Sequence, residues 1–525
     1  MHDHYDAIII GTGAGGGTLA HKLAPSAKKI LILERGPFLP RERENWDTVA
    51  VMQKERYHTT EVWYDRHGKP IHPGTGYWVG GNTKVYGAAL FRLRERDFQE
   101  VAHKGGISPA WPLSYDDFEP YYAEAERLYG VHGRRGSDPT EPASGEAYPF
   151  SAVPHEPRIQ EIADGLTRNG YHPFPVPLGV RLHPQRLASP CIRCSTCDGF
   201  PCLVDAKEDA DTTCIRPALK HPNVTLITEA TVVRLTTDAS GRIVDGVVAN
   251  IEGREERFSG DVVIVAGGAI NSAVLLLHSA NAAHPNGLGN ANDLVGRNFM
   301  KHNNGAIAAV GRKPNRTVFQ KTLAMTDFYW GDERYPYPMG SVQLLGKLNK
   351  DMLRGDAPPL TPDKVLDELA THSVDWFLTT EDLPDEDNCV RIDRDGRIIL
   401  DYTENNLESY ETLSARFTHA LKSIDCANSI VPCSVYLRKQ IPLQGVAHQV
   451  GTCRFGNDPA NSVLDENCRM HELDNVYVVD GSFFPSSGAV NPSLTIIANA
   501  LRVGDHLLER MGAAASVRLP VGANE

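Results

Sequence analysis

The sequence contains no run of about 18 apolar residues, so none of its segments reads as a bilayer span. Its amino terminus, MHDHYDAIIIGTG, has no basic stretch followed by a long apolar one. A secretory signal is therefore not expected, and the expected compartment is the cytoplasm with its reduced thiols. Positive charge is not in excess: 53 Lys and Arg stand against 66 Asp and Glu, a net −13. That balance argues against nucleic acid or an anionic membrane as the main partner. Ten cysteines are modest usage for this length, and only one group of them is clustered. Internal repeats and low-complexity blocks are also missing.

What is present is the composition of a soluble globular protein, with 41% hydrophobic and 23% charged residues. At 525 residues the chain is too long for one ordinary core, so two domains or one elaborated α/β domain are expected. The chain opens as strand, glycine turn, helix and strand. Ala7–Ile10 and Ile30–Leu33 are short apolar runs suited to parallel strands buried on both faces, and Thr18–Leu23 between them is helix-like. Residues 100–185 are rich in Pro, Gly, Tyr and charge, and read as irregular structure with short helices. Strand patterns return at 224–227, 230–235, 243–248 and 261–266. From 306 to 440 the rhythm is lost, and that stretch reads as the core of a separate substrate domain. A last strand at 476–479 precedes a helix from about 492 to 509, and the tail beyond Gly512 is expected to fray.

Gly11-Thr12-Gly13-Ala14-Gly15-Gly16 is a G-x-G-x-x-G between a strand and a helix, with Glu34 closing the next strand. Gly11 permits the tight turn, Gly13 lets backbone approach a pyrophosphate, and Gly16 lets the helix pack close on the sheet. The helix amino terminus turns its partial positive charge toward the phosphates. Glu34 can accept both ribose hydroxyls, which favours FAD or NAD over NADP. Arg35-Gly36 after it leans toward FAD.

Gly80-Gly81-Asn82-Thr83 is a second glycine cluster, where backbone could pass against a flat ring or a phosphate. Near the carboxy terminus His448 sits in AHQVGTCRFG, and Asn491-Pro492-Ser493 follows. Asn is a good N-cap and Pro is favoured at the first helical position, so Asn491-Pro492 reads as a helix start. Such a helix would aim its positive end at whatever lies above it. His448 is a plausible base, since imidazole can accept a hydroxyl proton as hydride leaves the carbon.

Together these segments resemble the glucose-methanol-choline (GMC) oxidoreductase family. The resemblance is carried by the Gly11–Glu34 unit, VGGNTKVYGA at 79–88, VVIVAGGAINSAVLLLHSA at 262–280 and LVGRNFMKH at 294–302. HQVGTCRFG at 448–456 and NVYVVDGSFFPSSGAVNPSLTIIANA at 475–500 complete it. The order and spacing are the family's and span nearly the whole chain, with 306–440 matching loosely.

The resemblance implies an α/β (α+β) fold: a Rossmann-like FAD-binding domain with a second, sheet-based substrate domain. Residues 1–305 would be the first part of the FAD-binding domain, with the irregular insertion at about 100–185. Residues 306–440 would bind substrate, and 441–525 would return to the FAD-binding domain. His448 carries over as catalytic base and Asn491 as its partner at the substrate hydroxyl. The adenine end of FAD would lie near Glu34, Arg35, Val232 and Ala266. The flavin end would lie near Gly81, Asn82, Val85, Asp480, Gly481, Pro492 and Ser493.

Two departures stand out. Tyr86-Gly87 replaces the Asn-Gly of many members, and Val85 stands where pyranose oxidases tether FAD through histidine, so FAD is expected to be noncovalent. The compact length and GGNTKVYGAALFRLRERDF are most similar to bacterial pyranose-oxidase-like enzymes that oxidise glycosides, usually at C3. The expected reaction is oxidation of a secondary sugar hydroxyl to a keto sugar, with hydride passing to flavin N5 and the proton to His448. Oxygen or a quinone would be the acceptor. The alternative is a GMC dehydrogenase of another alcohol that passes electrons to a quinone or an iron–sulfur acceptor.

Cys191, Cys194, Cys197 and Cys202 approach iron–sulfur or zinc spacing. The last gap is one residue longer than the usual ferredoxin run and no second metal-like group accompanies it. A reduced structural loop is therefore the expected reading, with no metal bound.

Overall fold

The computed structural model describes residues 4–183, 189–355, 357–424, 429–432, 443–445 and 447–513. The tail expected to fray lies outside the described residues from 514 onward. Parts of the proposed substrate region at 425–428 and 433–440 lie outside them as well.

A seven-stranded sheet organises the first half of the molecule. Its parallel part runs Val224–Ile227, Ile30–Leu33, His4–Ile10, Arg254–Val265 and Val476–Val478. Ala230–Thr237 and Val244–Ile251 extend it as an antiparallel meander. All four residues of Ile30–Leu33 are buried, as are Ile264, Val265 and Val476–Val478. Burial on both faces explains why these strands read as unbroken apolar runs. The strand Val476–Val478 completes the sheet from more than 200 residues away and brings the carboxy-terminal segment back beside the glycine turn. The closing helix Ser493–Arg510 then lies against the first helix Ala14–Leu23, where Gly504 leaves room for Lys22 and Leu19.

The first helix begins at Ala14, four residues earlier than its apolar pattern suggests. Gly15, Gly16 and Gly17 are therefore helical, and they are buried because the helix passes directly against neighbouring backbone. A Cβ on Gly16 would fall 2.1 Å from the Gly11 carbonyl oxygen. The 100–185 stretch contains more order than its composition suggests. The helix Tyr115–Leu128 starts with a Ser114/Asp117 capping box and accommodates Pro120, and Pro157 opens the helix Pro157–Arg168.

The second sheet has six strands, all antiparallel to their neighbours. Their order is Ser429–Pro432, Asn303–Val310, Ser373–Thr380, Ser341–Leu344, Leu323–Met325 and Phe174–Pro175. It thus takes one strand from the 100–185 segment. Every residue of Ser373–Thr380 is buried, including Asp375 and both threonines. One face packs Val374, Trp376 and Leu378 against Ile159 and Leu166 of one helix and Leu413 and Phe417 of another. The Trp376 and Phe417 rings meet at 4.8 Å. The opposite face carries Phe377 and its register partner Gln343 to the wall of a large cavity. Burial of polar residues on a two-faced sheet erases the apolar alternation, which is why this region showed no strand rhythm.

Candidate active site

The cavity between the two sheets has a volume of about 1340 Å³. That exceeds the roughly 300–1,000 Å³ of an ordinary small-molecule pocket, leaving room for a dinucleotide and a substrate. Gly11 and Gly13 form its floor at the amino terminus of the helix Ala14–Leu23. Gly11 has φ +101° and a Cβ there would lie 2.4 Å from the Ala266 carbonyl oxygen, so only glycine turns the chain at this point. A Cβ on Gly13 would meet nothing within 4 Å and would project into open space. A bare backbone facing helix amides fits a diphosphate. Gly16 is apart from this set: it packs helix on strand and does not line the cavity.

Glu34, Arg35, Val232 and Ala266 line one region of the cavity. The Glu34 carboxylate accepts from the Thr12 and Gly36 amides at 3.0 Å each, and burial raises its pKa despite them. Arg35 lies 3.7 Å over the Tyr77 ring and is paired with Glu61, which also accepts from Tyr77 and Trp63. Tyr77 and Glu61 were not singled out from sequence, since neither falls in a motif.

Gly81, Asn82 and Val85 line the wall beyond. Asn82 accepts from the Thr75 hydroxyl at 2.8 Å. Asp480 and Gly481 approach from the carboxy-terminal segment. The buried Asp480 carboxylate accepts from the Gly268 amide at 2.9 Å and the Ser482 amide at 2.8 Å, tying that segment to the end of a core strand. Burial raises its pKa, and the hydrogen bonds oppose the rise.

His448, Asn491, Pro492 and Ser493 line the same cavity. The helix start differs from the expectation by one residue: it begins at Ser493, Pro492 is the cap, and Asn491 does not cap it. The Asn491 Oδ1 is occupied instead, accepting from Gln343 Nε2 at 3.1 Å.

His448 is held by a chain of imidazoles. His302 is completely buried, with Nε2 at 3.1 Å from the Ser487 carbonyl oxygen. A carbonyl only accepts, so the His302 proton resides on Nε2 and its Nδ1 is an acceptor. That Nδ1 lies 3.1 Å from His448 Nδ1, which must then donate. Asn304 Nδ2 lies farther from the same atom, at 3.4 Å. The proton of neutral His448 is thereby held on Nδ1, leaving Nε2 as a bare lone pair. Burial lowers the pKa of both imidazoles, and the charge that His302 takes on in acid lowers His448 further, well below the ordinary histidine range. Asp382 anchors the arrangement, accepting from the Lys301 and His302 amides at 2.8 and 2.9 Å. His302 falls within LVGRNFMKH, but only the fold shows what it touches.

The cysteine loop forms part of the cavity wall through Ser195, Asp198 and Gly199. Lys207 donates to the Cys197 and Phe200 carbonyls at 2.8 and 2.9 Å, and Asp198 accepts from Lys321 and from the Gly346 amide. The thiols of Cys191, Cys194, Cys197 and Cys202 are free, and burial pushes the Cys191 thiol up to about 12. Among the described residues no group of three or more His, Cys, Asp or Glu is placed to hold a metal ion.

The amino-terminal GMC oxidoreductase model matches residues 5–304 and the carboxy-terminal one matches 418–500. The chain belongs to the GMC oxidoreductase family. Among GMC relatives, the paromamine 6'-oxidase of Streptomyces fradiae is 30% identical, over 95% of this chain and 90% of its own length. The fructose dehydrogenase large subunit of Gluconobacter japonicus is 26% identical, over 96% of this chain and 97% of its own. The crystal structure of pyridoxine 4-oxidase from Mesorbium loti shares the fold, with a TM-score of 0.64, 18% identity, and coverage of 96% of this chain and 99% of that one. The chain is thus an oxidoreductase, and its family implies FAD, which the glycine floor and the size of the cavity fit. No described helix is long and apolar enough to cross a membrane.

Proposed function

We propose that this GMC oxidoreductase oxidises a secondary hydroxyl of a sugar or glycoside, C3 of a glucosyl group, to a keto sugar with noncovalently held FAD. The observation that carries the reading is the His302–His448 contact, from which an unprotonated His448 Nε2 follows, in one cavity with Asn491. Bound FAD supplies the hydride acceptor. The residues do the rest. His448 Nε2 accepts the hydroxyl proton as the carbinol becomes a carbonyl, and the Asn491 amide donates to the same oxygen. His302 keeps His448 in the tautomer that can act. The helix Ser493–Arg510 turns its positive end toward the cavity, which favours negative charge on a bound group there.

The sugar assignment is supported by the relative named for fructose, and the C3 position rests on the sequence resemblance of residues 80–98 alone. Noncovalent binding is supported by Val85, whose side chain offers no nucleophile. The test is anaerobic addition of methyl β-glucoside to the yellow protein, followed by identification of the product. Bleaching with a 3-keto product supports the reading, whereas a product oxidised at another carbon rejects the C3 assignment. Flavin left in the supernatant after acid precipitation supports noncovalent binding. Reoxidation by oxygen or by a quinone identifies the acceptor, and stoichiometric iron in the protein would move it to the cysteine loop.

A further inference from the structure

Gln343 is a poor choice for its position by the standards of a protein core. It sits on the strand Ser341–Leu344, opposite Phe377 and beside Val342 and Leu344, and is only 8% exposed. Its Oε1 is buried and meets no hydrogen-bond partner among the described residues. A leucine there would remove that uncompensated acceptor, and burying an unpaired polar atom is a destabilising act. The amide makes one hydrogen bond, from Nε2 to Asn491 Oδ1, joining residues 148 positions apart. Both residues line the cavity.

We infer that Gln343 is a positioning residue, retained at a cost in stability because its Nε2–H fixes which end of the Asn491 amide faces the substrate. An asparagine amide can present either a donor or an acceptor. The Gln343 donor engages Oδ1, so Nδ2 is the end left for the substrate. This rests on the proposed reading, in which His448 Nε2 takes the hydroxyl proton. The second partner of that oxygen must then be a donor, because its negative charge grows as the proton leaves. A freely turning Asn491 would spend part of its time presenting Oδ1, which repels the same oxygen. The Gln343 bond acts on the charge that develops during reaction, so its loss appears in the limiting rate more than in substrate affinity. In that reading Asn491 is the group that touches substrate, and Gln343 acts through it.

The test uses the FAD-loaded full chain and anaerobic flavin bleaching by methyl β-glucoside, in wild type, Gln343→Leu, Asn491→Ala and the double variant. Gln343→Leu is expected to keep its flavin and to melt at the same or a higher temperature. Its limiting bleaching rate should fall by about 10-fold, the size of one lost hydrogen bond, with little change in apparent Kd. In the Asn491→Ala background the same substitution should cost nothing further. Gln343→Glu, which turns the donor into an acceptor, should be slower than Gln343→Leu. The inference is overturned if Gln343→Leu stays within about twofold of wild type, if it loses rate and melting temperature together, or if its cost is the same in both backgrounds. A wild-type protein whose flavin no sugar or glycoside reduces would overturn the proposed function itself, visible without any variant, and the inference with it.

Discussion

The two sheets do different work and encode it differently. Around the seven-stranded sheet, the constraints are local in sequence: Gly11, Gly13 and Gly16 lie within six residues of chain, and Glu34 directly follows the next strand. Backbone makes the floor there, so spacing alone carries the information. Around the six-stranded sheet the working contacts join distant positions, His302 to His448 and Gln343 to Asn491. Side chains make the site there, and strand register places them. The glycine floor can thus be read from a motif, whereas the groups proposed to face the substrate emerge only when the second sheet is assembled.

Substitutions that damage one side and spare the other sharpen this contrast. The largest effect is expected at Gly11→Val, whose side chain meets the Ala266 carbonyl at a backbone angle that valine avoids. The purified protein should lack flavin altogether, as the flavin-to-protein absorbance ratio will show. His448→Ala should do the reverse, keeping flavin while the anaerobic bleaching rate falls by about 10²–10⁴. Trp376→Ala opens a hole beneath the second sheet against Phe417 and should cost about 3–5 kcal/mol in chemical denaturation.

A smaller effect is expected at His302→Leu, which removes the acceptor that orients His448 and should slow bleaching by about 10- to 100-fold. It also has a pH signature. Burial and then His302 depress the His448 pKa, and the base acts when neutral, so kcat/KM of the wild type should hold through mildly acidic pH and fall only below the ordinary histidine range. On acidification His302 takes its proton before His448 and its charge holds His448 down, so without His302 the acid limb should move to higher pH. An acid limb that moves down, or not at all, would deny His302 its role beside the base.

The inner runs Ala7–Ile10, Ile30–Leu33 and Val262–Val265 of the first sheet were legible because each is buried on both faces. Val476–Val478 was legible for the same reason, although its place in that sheet was not. The first helix was read four residues short because its leading glycines carry no apolar signal. Asn491 was noticed as a helix cap, and the structure gives its side chain to Gln343 instead. Asn304, Gln343 and Asp382 left no trace in sequence. Isolated polar residues in a stretch without rhythm resemble loop, and their burial on a two-faced sheet is a tertiary fact. The cysteine spacing was conspicuous, whereas the Lys207 and Lys321 contacts that tie its loop down left no sequence signal.

His448 is proposed as the base of a sugar oxidation. The most direct measurement is anaerobic flavin bleaching by methyl β-glucoside, compared between wild type and His448→Ala at equal flavin content. The account predicts rapid bleaching in the first and a rate lower by about 10²–10⁴ in the second. Comparable rates in the two proteins would contradict it.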